Sequence, residues 1–170
     1  MLEAKPLALA PSGAVGLATP RHIFSITAFA GTKPSLEAVL GHALPPPGRM
    51  RAHDGMTWLW SGQNSWLAMS ETPCGDRLAA AAPNAALTEQ SDGRAIFLVS
   101  GPHSRKILQK LVPIDLHELE FLSDHTSLTL AGHIPIQIWR EDENFALACF
   151  RSFAPALHHA LLESETPGRS

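Results

Sequence analysis

The chain has 170 residues, 45% of them apolar and 17% charged, with a formal net charge of −3 when histidine is neutral. That length holds one domain, or two small subdomains sharing a core, and that apolar share is enough to build a real interior. The 13 Lys and Arg residues are scattered and form no basic face, which argues against nucleic acid as a partner. No run reaches the ~20 apolar residues that span a bilayer.

Residues 1–19 are rich in Ala, Pro and Gly, lack periodicity and read as an extended or mobile arm. Glu3 precedes any basic cluster and Pro6 and Pro11 interrupt the segment, so it does not read as a secretory leader. Residues 20–164 read as the folded domain and 165–170 as a polar tail. His22 to Phe29 alternates loosely and predicts the first strand. Ser35 is placed to cap a short helix with Glu37 in its first turn and Leu36, Val39 and Leu40 as its buried stripe, ended by Pro45-Pro46-Pro47-Gly48. Met56–Trp60 and Ser65–Met69 predict a hairpin around Ser61-Gly62-Gln63-Asn64. It gathers Trp58, Trp60 and Trp66, the first two on one sheet face. Asp76 is placed to cap a short helix through Leu78, stopped by Pro83.

Ala86 to Glu89 leads into Ala95–Val99, an unbroken apolar run with β-branched and aromatic members, suited to a strand covered on both faces. Gly101-Pro102 supplies a turn into a helix whose stripe is Ile107, Leu108, Leu111 and Val112. Pro113 to His117 is irregular. Thr126–Leu130 and Ile134–Trp139 predict a second hairpin across Ala131-Gly132-His133, with Pro135 marking an edge or a strand start. Phe145–Phe150 follows as a strand, and Ser152 is placed to cap a last helix that turns Leu157, Leu161 and Leu162 inward. The order is β-α-β-β-α-β-α-β-β-β-α. The fold class is α+β, two related subdomains of mainly antiparallel sheet with packed helices.

The chain offers little to chemistry. Its nine histidines include one adjacent pair, His158-His159, which a helix points about 100° apart. Cys74 and Cys149 have no Cys-x-x-Cys or Cys/His zinc spacing and fit a reducing cytoplasm. Cys149 lies in an apolar strand, where a thiol is inert. Gly-x-Ser-x-Gly, Gly-x-Gly-x-x-Gly and P-loop patterns are absent. Glu141, Asp142 and Glu143 sit between two strands and read as a solvated turn. The expected catalytic, cofactor-binding and metal residues are therefore none. Asp92 and Arg94, flanking Gly93, read equally as a fixed polar pair at a subunit contact or as a turn that satisfies backbone groups through Asp92. The tryptophans Trp58, Trp60, Trp66 and Trp139, taken as exposed, complete the candidate contact set. Packing suits them better than stacking on a flat ligand such as a pterin.

Several blocks together resemble one family. Ser91-Asp92-Gly93-Arg94-Ala95, Leu98-Val99-Ser100-Gly101-Pro102 and Asp115-Leu116-His117 are similar to the gamma subunit of heterotetrameric sarcosine oxidase. So are Trp60 to Leu67, and Trp139-Arg140 followed by Phe145 and Arg151-Ser152-Phe153-Ala154. The likeness runs from His22 to Leu162. The Ser-Gly-Pro turn also resembles one in the wider folate-binding superfamily that includes the aminomethyltransferase of the glycine cleavage system. The chain departs from the gamma pattern where Lys110, Leu111 and Val112 replace a Lys-Gly-Cys, and the Cys-containing signature of folate-dependent iron-sulfur repair proteins is missing. The resemblance implies a cytoplasmic structural subunit without catalytic residues, assembled with alpha, beta and delta subunits and touching alpha most directly. It implies a complex that demethylates sarcosine, or a related N-methyl amine, to glycine, formaldehyde or methylene-tetrahydrofolate, and hydrogen peroxide. FAD, FMN, NAD and zinc are then carried by the other subunits, and tetrahydrofolate is used by the complex. The alternative reading is a stand-alone folate-binding or one-carbon transfer protein.

Overall fold

The computed structural model describes residues 7–18 and 21–165. Among these, ten strands and four α-helices follow one another. The first half runs β1 (Val15–Leu17), β2 (His22–Ala28), α1 (Lys33–Leu40), β3 (Met50–His53), β4 (Met56–Gly62), β5 (Ser65–Ser70), α2 (Gly75–Ala79) and β6 (Ala85–Glu89). The second runs β7 (Arg94–Val99), α3 (Ser104–Leu108), β8 (Thr126–Ala131), β9 (Ile134–Glu141), β10 (Asn144–Phe150) and α4 (Ala154–Glu165). The chain divides into two compact units, one of residues 1–19, 92–123 and 128–170, the other of 20–91 and 124–127. Each holds a five-stranded sheet, ordered β1-β7-β10-β9-β8 in the first and β3-β4-β5-β2-β6 in the second. The α+β class with antiparallel sheets holds.

In the first unit β7 is central. It pairs antiparallel with β1 on one side and β10 on the other, setting Phe97 opposite Leu17 and Leu147. Ala95, Phe97 and Val99 face a core closed by Ile107 and Leu108 of α3 and by Leu157 and Leu161 of α4. The alternate residues Ile96, Ala146, Ala148 and Trp139 are buried too, so the sheet is covered on both faces, as an unbroken apolar run requires. In the second unit, Ile26, Trp58, Trp66 and Ala68 form one face of the sheet and pack with Leu36 of α1 and Leu78 of α2.

The structure differs from the sequence reading where local pattern carries no signal. Val15–Leu17, inside the stretch read as an arm, is a strand; Val15 is buried and pairs with Val99. Three residues are too few for periodicity to register, and the strand forms because β7 offers it an edge. Residues 1–6, 19 and 166–170 of the arm and tail lie outside the described residues. β3 is an edge strand whose Arg51, Ala52 and His53 are exposed, so it lacks alternation. Residues 85–99 are two strands in different sheets, broken by a 3-10 turn at Ser91–Gly93.

Helix boundaries shift as well. Helix α1 begins at Lys33, not Ser35, with Pro34 in its first turn, and ends at Gly41 in the left-handed region (φ 75°) rather than at the prolines. Val39 is 46% exposed, which leaves Leu36 as the buried residue of that helix. Helix α3 stops at Leu108, although Val112 still reaches the core. Ser152 lies in a 3-10 turn, Arg151–Phe153, ahead of α4.

Candidate functional site

Asp92 is exposed on the 3-10 turn, where Ser91 accepts a hydrogen bond from the Ile23 N–H at 3.0 Å and donates to Glu89 at 3.1 Å. Arg94 opens β7 half-buried, its guanidinium 4.7 Å above the Phe150 ring, and burial lowers its pKa. The turn thus does backbone work while leaving the Asp92 carboxylate accessible. It is the side chain of Ser91, rather than the Asp92 of the turn reading, that satisfies this backbone group.

The tryptophans are not the exposed residues they were taken for. Trp58, Trp66 and Trp139 are 2%, 3% and 1% exposed. Each sits on a strand with a neighbour on both sides, and β4, β5 and β9 each turn buried residues to both faces. The Trp66 indole N–H donates to the Pro45 carbonyl at 2.9 Å, which ties the Pro-rich segment to the sheet. Trp60 is half-buried opposite Trp66. The exposed large apolar residues are others: Leu119 at 74%, with Leu122, Leu128, Leu130, Phe150 and Phe153 in the same unit, and Phe29 and Val39 in the second unit. Leu128 and Leu130 share one face of edge strand β8, an alternation the sequence displays but which reads equally as core.

The titratable groups behave as structural residues. Burial pushes the Cys149 thiol up to about 11 and raises that of Cys74, which keeps both thiols protonated and unreactive at neutral pH. His158 stacks on Phe97 at 5.9 Å while His159 pairs with Glu163 at 3.4 Å, so the two point apart. Glu141-Asp142-Glu143 ends one hairpin strand and forms its turn, with Asp142 at φ 54° and Glu143 3.7 Å from Arg140. No three His, Cys, Asp or Glu side chains among the described residues converge as metal donors. No helix among them is long and apolar enough to cross a membrane.

Among the described residues, each unit holds a cavity. One, of about 510 Å³ in the first unit, lies beside the Ser100-Gly101-Pro102 turn, with Lys106 and Glu165 in its wall. Its end is tied by the Lys110 ammonium donating to the Ser164 carbonyl at 2.6 Å and the Ala14 N–H donating to Glu165 at 2.5 Å. The other, of about 170 Å³ in the second unit, is lined by His42, His53 and Trp58.

No family model and no curated protein matches the sequence. Among solved structures, a chain of the heterotetrameric sarcosine oxidase from Corynebacterium sp. U-96, in complex with pyrrole 2-carboxylate, matches with a TM-score of 0.80 and 21% identity. This chain has that fold. The match covers 94% of this chain and 91% of the other, so it takes in both units. The ligand-free regulatory subunit of aspartate kinase from Thermus thermophilus matches at a TM-score of 0.47 and 11% identity, too distant to carry an argument.

Proposed function

We propose that the chain is a non-catalytic structural subunit of a sarcosine oxidase-like complex, in the place of its gamma subunit. The observation that carries this reading is the fold shared, over 94% of the chain, with a chain of a heterotetrameric sarcosine oxidase. The thiols are consistent with it: a cysteine nucleophile or thiol redox centre needs an accessible, ionisable sulfur, and both sulfurs here are buried and held protonated. In this reading the chain works in the cytoplasm and docks on the alpha subunit most directly, through accessible groups such as Asp92 and its exposed apolar side chains. The complex, completed by beta and delta subunits, demethylates sarcosine or a related N-methyl amine to glycine. The one-carbon unit leaves as formaldehyde or on tetrahydrofolate, and oxygen becomes hydrogen peroxide. FAD, FMN, NAD and zinc reside on the other subunits.

The isolated chain tests the division of labour. Purified alone it is expected to be colourless and inactive on sarcosine. Stoichiometric flavin on the isolated chain, seen in its absorption spectrum, or turnover without partners, contradicts the reading.

A further inference from the structure

Strand β3 ends the second sheet, and its hairpin with β4 turns at Asp54-Gly55, both at positive φ (48° and 71°). Two side-chain ties hold the tip of this hairpin to neighbouring helices of the same unit. Asp54 takes the Arg77 guanidinium of α2 on its side chain and, at 2.8 Å, on its carbonyl. On the other side His53 meets the ring of His42, which follows the Gly41 cap of α1, with ring centres 4.4 Å apart. His42 in turn stands edge-on to Trp58 of β4 at 4.8 Å and 63°. Three rings from α1's end, β3 and β4 are thus in contact in series, and Trp58 is the buried one.

The contact between the imidazoles suits neutral rings. The His42 Nδ1–H donates to the Ala43 carbonyl at 3.1 Å, so an added proton goes to Nε2 and charges the ring. Two charged imidazoles at that separation repel. The charges around them come from each neighbouring element. Glu37 of α1 accepts the Leu44 N–H at 2.9 Å and lies 3.6 Å from Lys33. Arg51 of β3 adds a positive charge, and the Asp54 carboxylate is taken by Arg77 of α2. Burial lowers the pKa of His42 most; the Ala43 hydrogen bond raises it, His53 and Arg51 lower it, and Glu37 raises it.

We propose that the His42–His53 contact is a proton-operated latch: neutral rings hold the β3–β4 tip against the end of α1, and charged rings release it. Release is local. A guanidinium–carboxylate tie is insensitive to pH where imidazoles titrate, so Arg77 still holds the turn. What opens is the side of the tip that faces the cavity of about 170 Å³ lined by His42, His53 and Trp58. The latch does not depend on the assembly proposed above. Because the folded value of His42 is lowered, the closed tip favours the neutral ring. The contribution of the latch is complete above 6.5 and is lost as pH falls from there through the lowered value.

The test is an NMR titration of the full chain from about pH 8 to about pH 5.5, above the ordinary carboxylate range. It follows the histidine ring resonances and the nuclear Overhauser contacts between rings. His42 is expected to titrate below 6.5. Its contacts to the His53 and Trp58 rings are expected at pH 8 and lost at the acid end. The Ile26–Trp66 contact, between paired strands of the same sheet, is expected to persist throughout. His53→Gln, at an exposed position, is expected to raise the pH at which His42 titrates and to preserve the His42–Trp58 contact further into acid. His42→Phe, which cannot be charged, is expected to keep its contact to Trp58 at both ends of the titration. Ring contacts that survive at the acid end overturn the proposal. So does their loss together with Ile26–Trp66, which is general acid unfolding, or a His42 titration that His53→Gln leaves unmoved.

Discussion

Phe97 is fully buried at the centre of its sheet, between Leu17 and Leu147, with the His158 ring stacked at 5.9 Å. Truncation to alanine removes a ring that nothing nearby can replace. Phe97→Ala is expected to cost about 3–5 kcal/mol in urea unfolding, and a loss below roughly 1 kcal/mol contradicts the packing. Cys149, in the same sheet, links stability to alkaline pH. The folded thiol holds its proton to about 11, whereas the unfolded thiol releases it near 9.0. Its contribution is therefore complete below the unfolded value and is lost as pH rises from about 9 toward 11. The unfolding midpoint is expected to fall across that window, and Cys149→Ala to flatten the fall. The burial of both residues was legible in sequence, because an apolar run with no polar alternation has no solvent face. The tryptophans were not legible. An aromatic on a strand looks the same whether its face meets solvent or a helix, and what covers the face decides, as Leu36 of α1 and Leu78 of α2 do for Trp58 and Trp66.

The strand-to-helix turn after β7 carries its conformation in one residue. Gly101 has φ 85°, and a Cβ there would meet nothing within 4 Å, so any cost of a side chain is purely backbone strain. Gly101→Ala is expected to lose about 1–2 kcal/mol, while Gly93→Ala, at an ordinary φ and also in open space, stays within about 0.5 kcal/mol. Equal losses in thermal unfolding contradict the assignment. The two hairpins, β4–β5 and β8–β9, were readable because their alternation survives tight turns. β1 and β3 were hidden, one too short and the other too polar. With them in place, the related subdomains expected from the sequence become visible as topology. The order β3-β4-β5-β2-β6 maps onto β8-β9-β10-β7-β1, with a helix after β2 and after β7, and another after β5 and after β10. The fifth strand of the first unit comes from the start of the chain, where the pattern of the second unit would place it after α4. A linear comparison of the two halves therefore misses it.

At the scale of the whole molecule, the functional reading came from short blocks such as Leu98-Val99-Ser100-Gly101-Pro102, not from periodicity. In the structure that block combines a doubly buried strand with a turn that needs glycine. The exposed apolar side chains were not legible, because exposure at Leu119 or Leu128 depends on what the fold leaves uncovered. The central claim is that this chain completes an assembly rather than performing chemistry. Its most direct measurement is native mass spectrometry of the chain coexpressed with the two flavin-binding subunits and the small zinc subunit of a sarcosine oxidase. The account predicts a four-chain particle containing one copy of this chain, with every flavin retained when this chain is stripped away. A particle that excludes the chain, or flavin that leaves with it, contradicts the account.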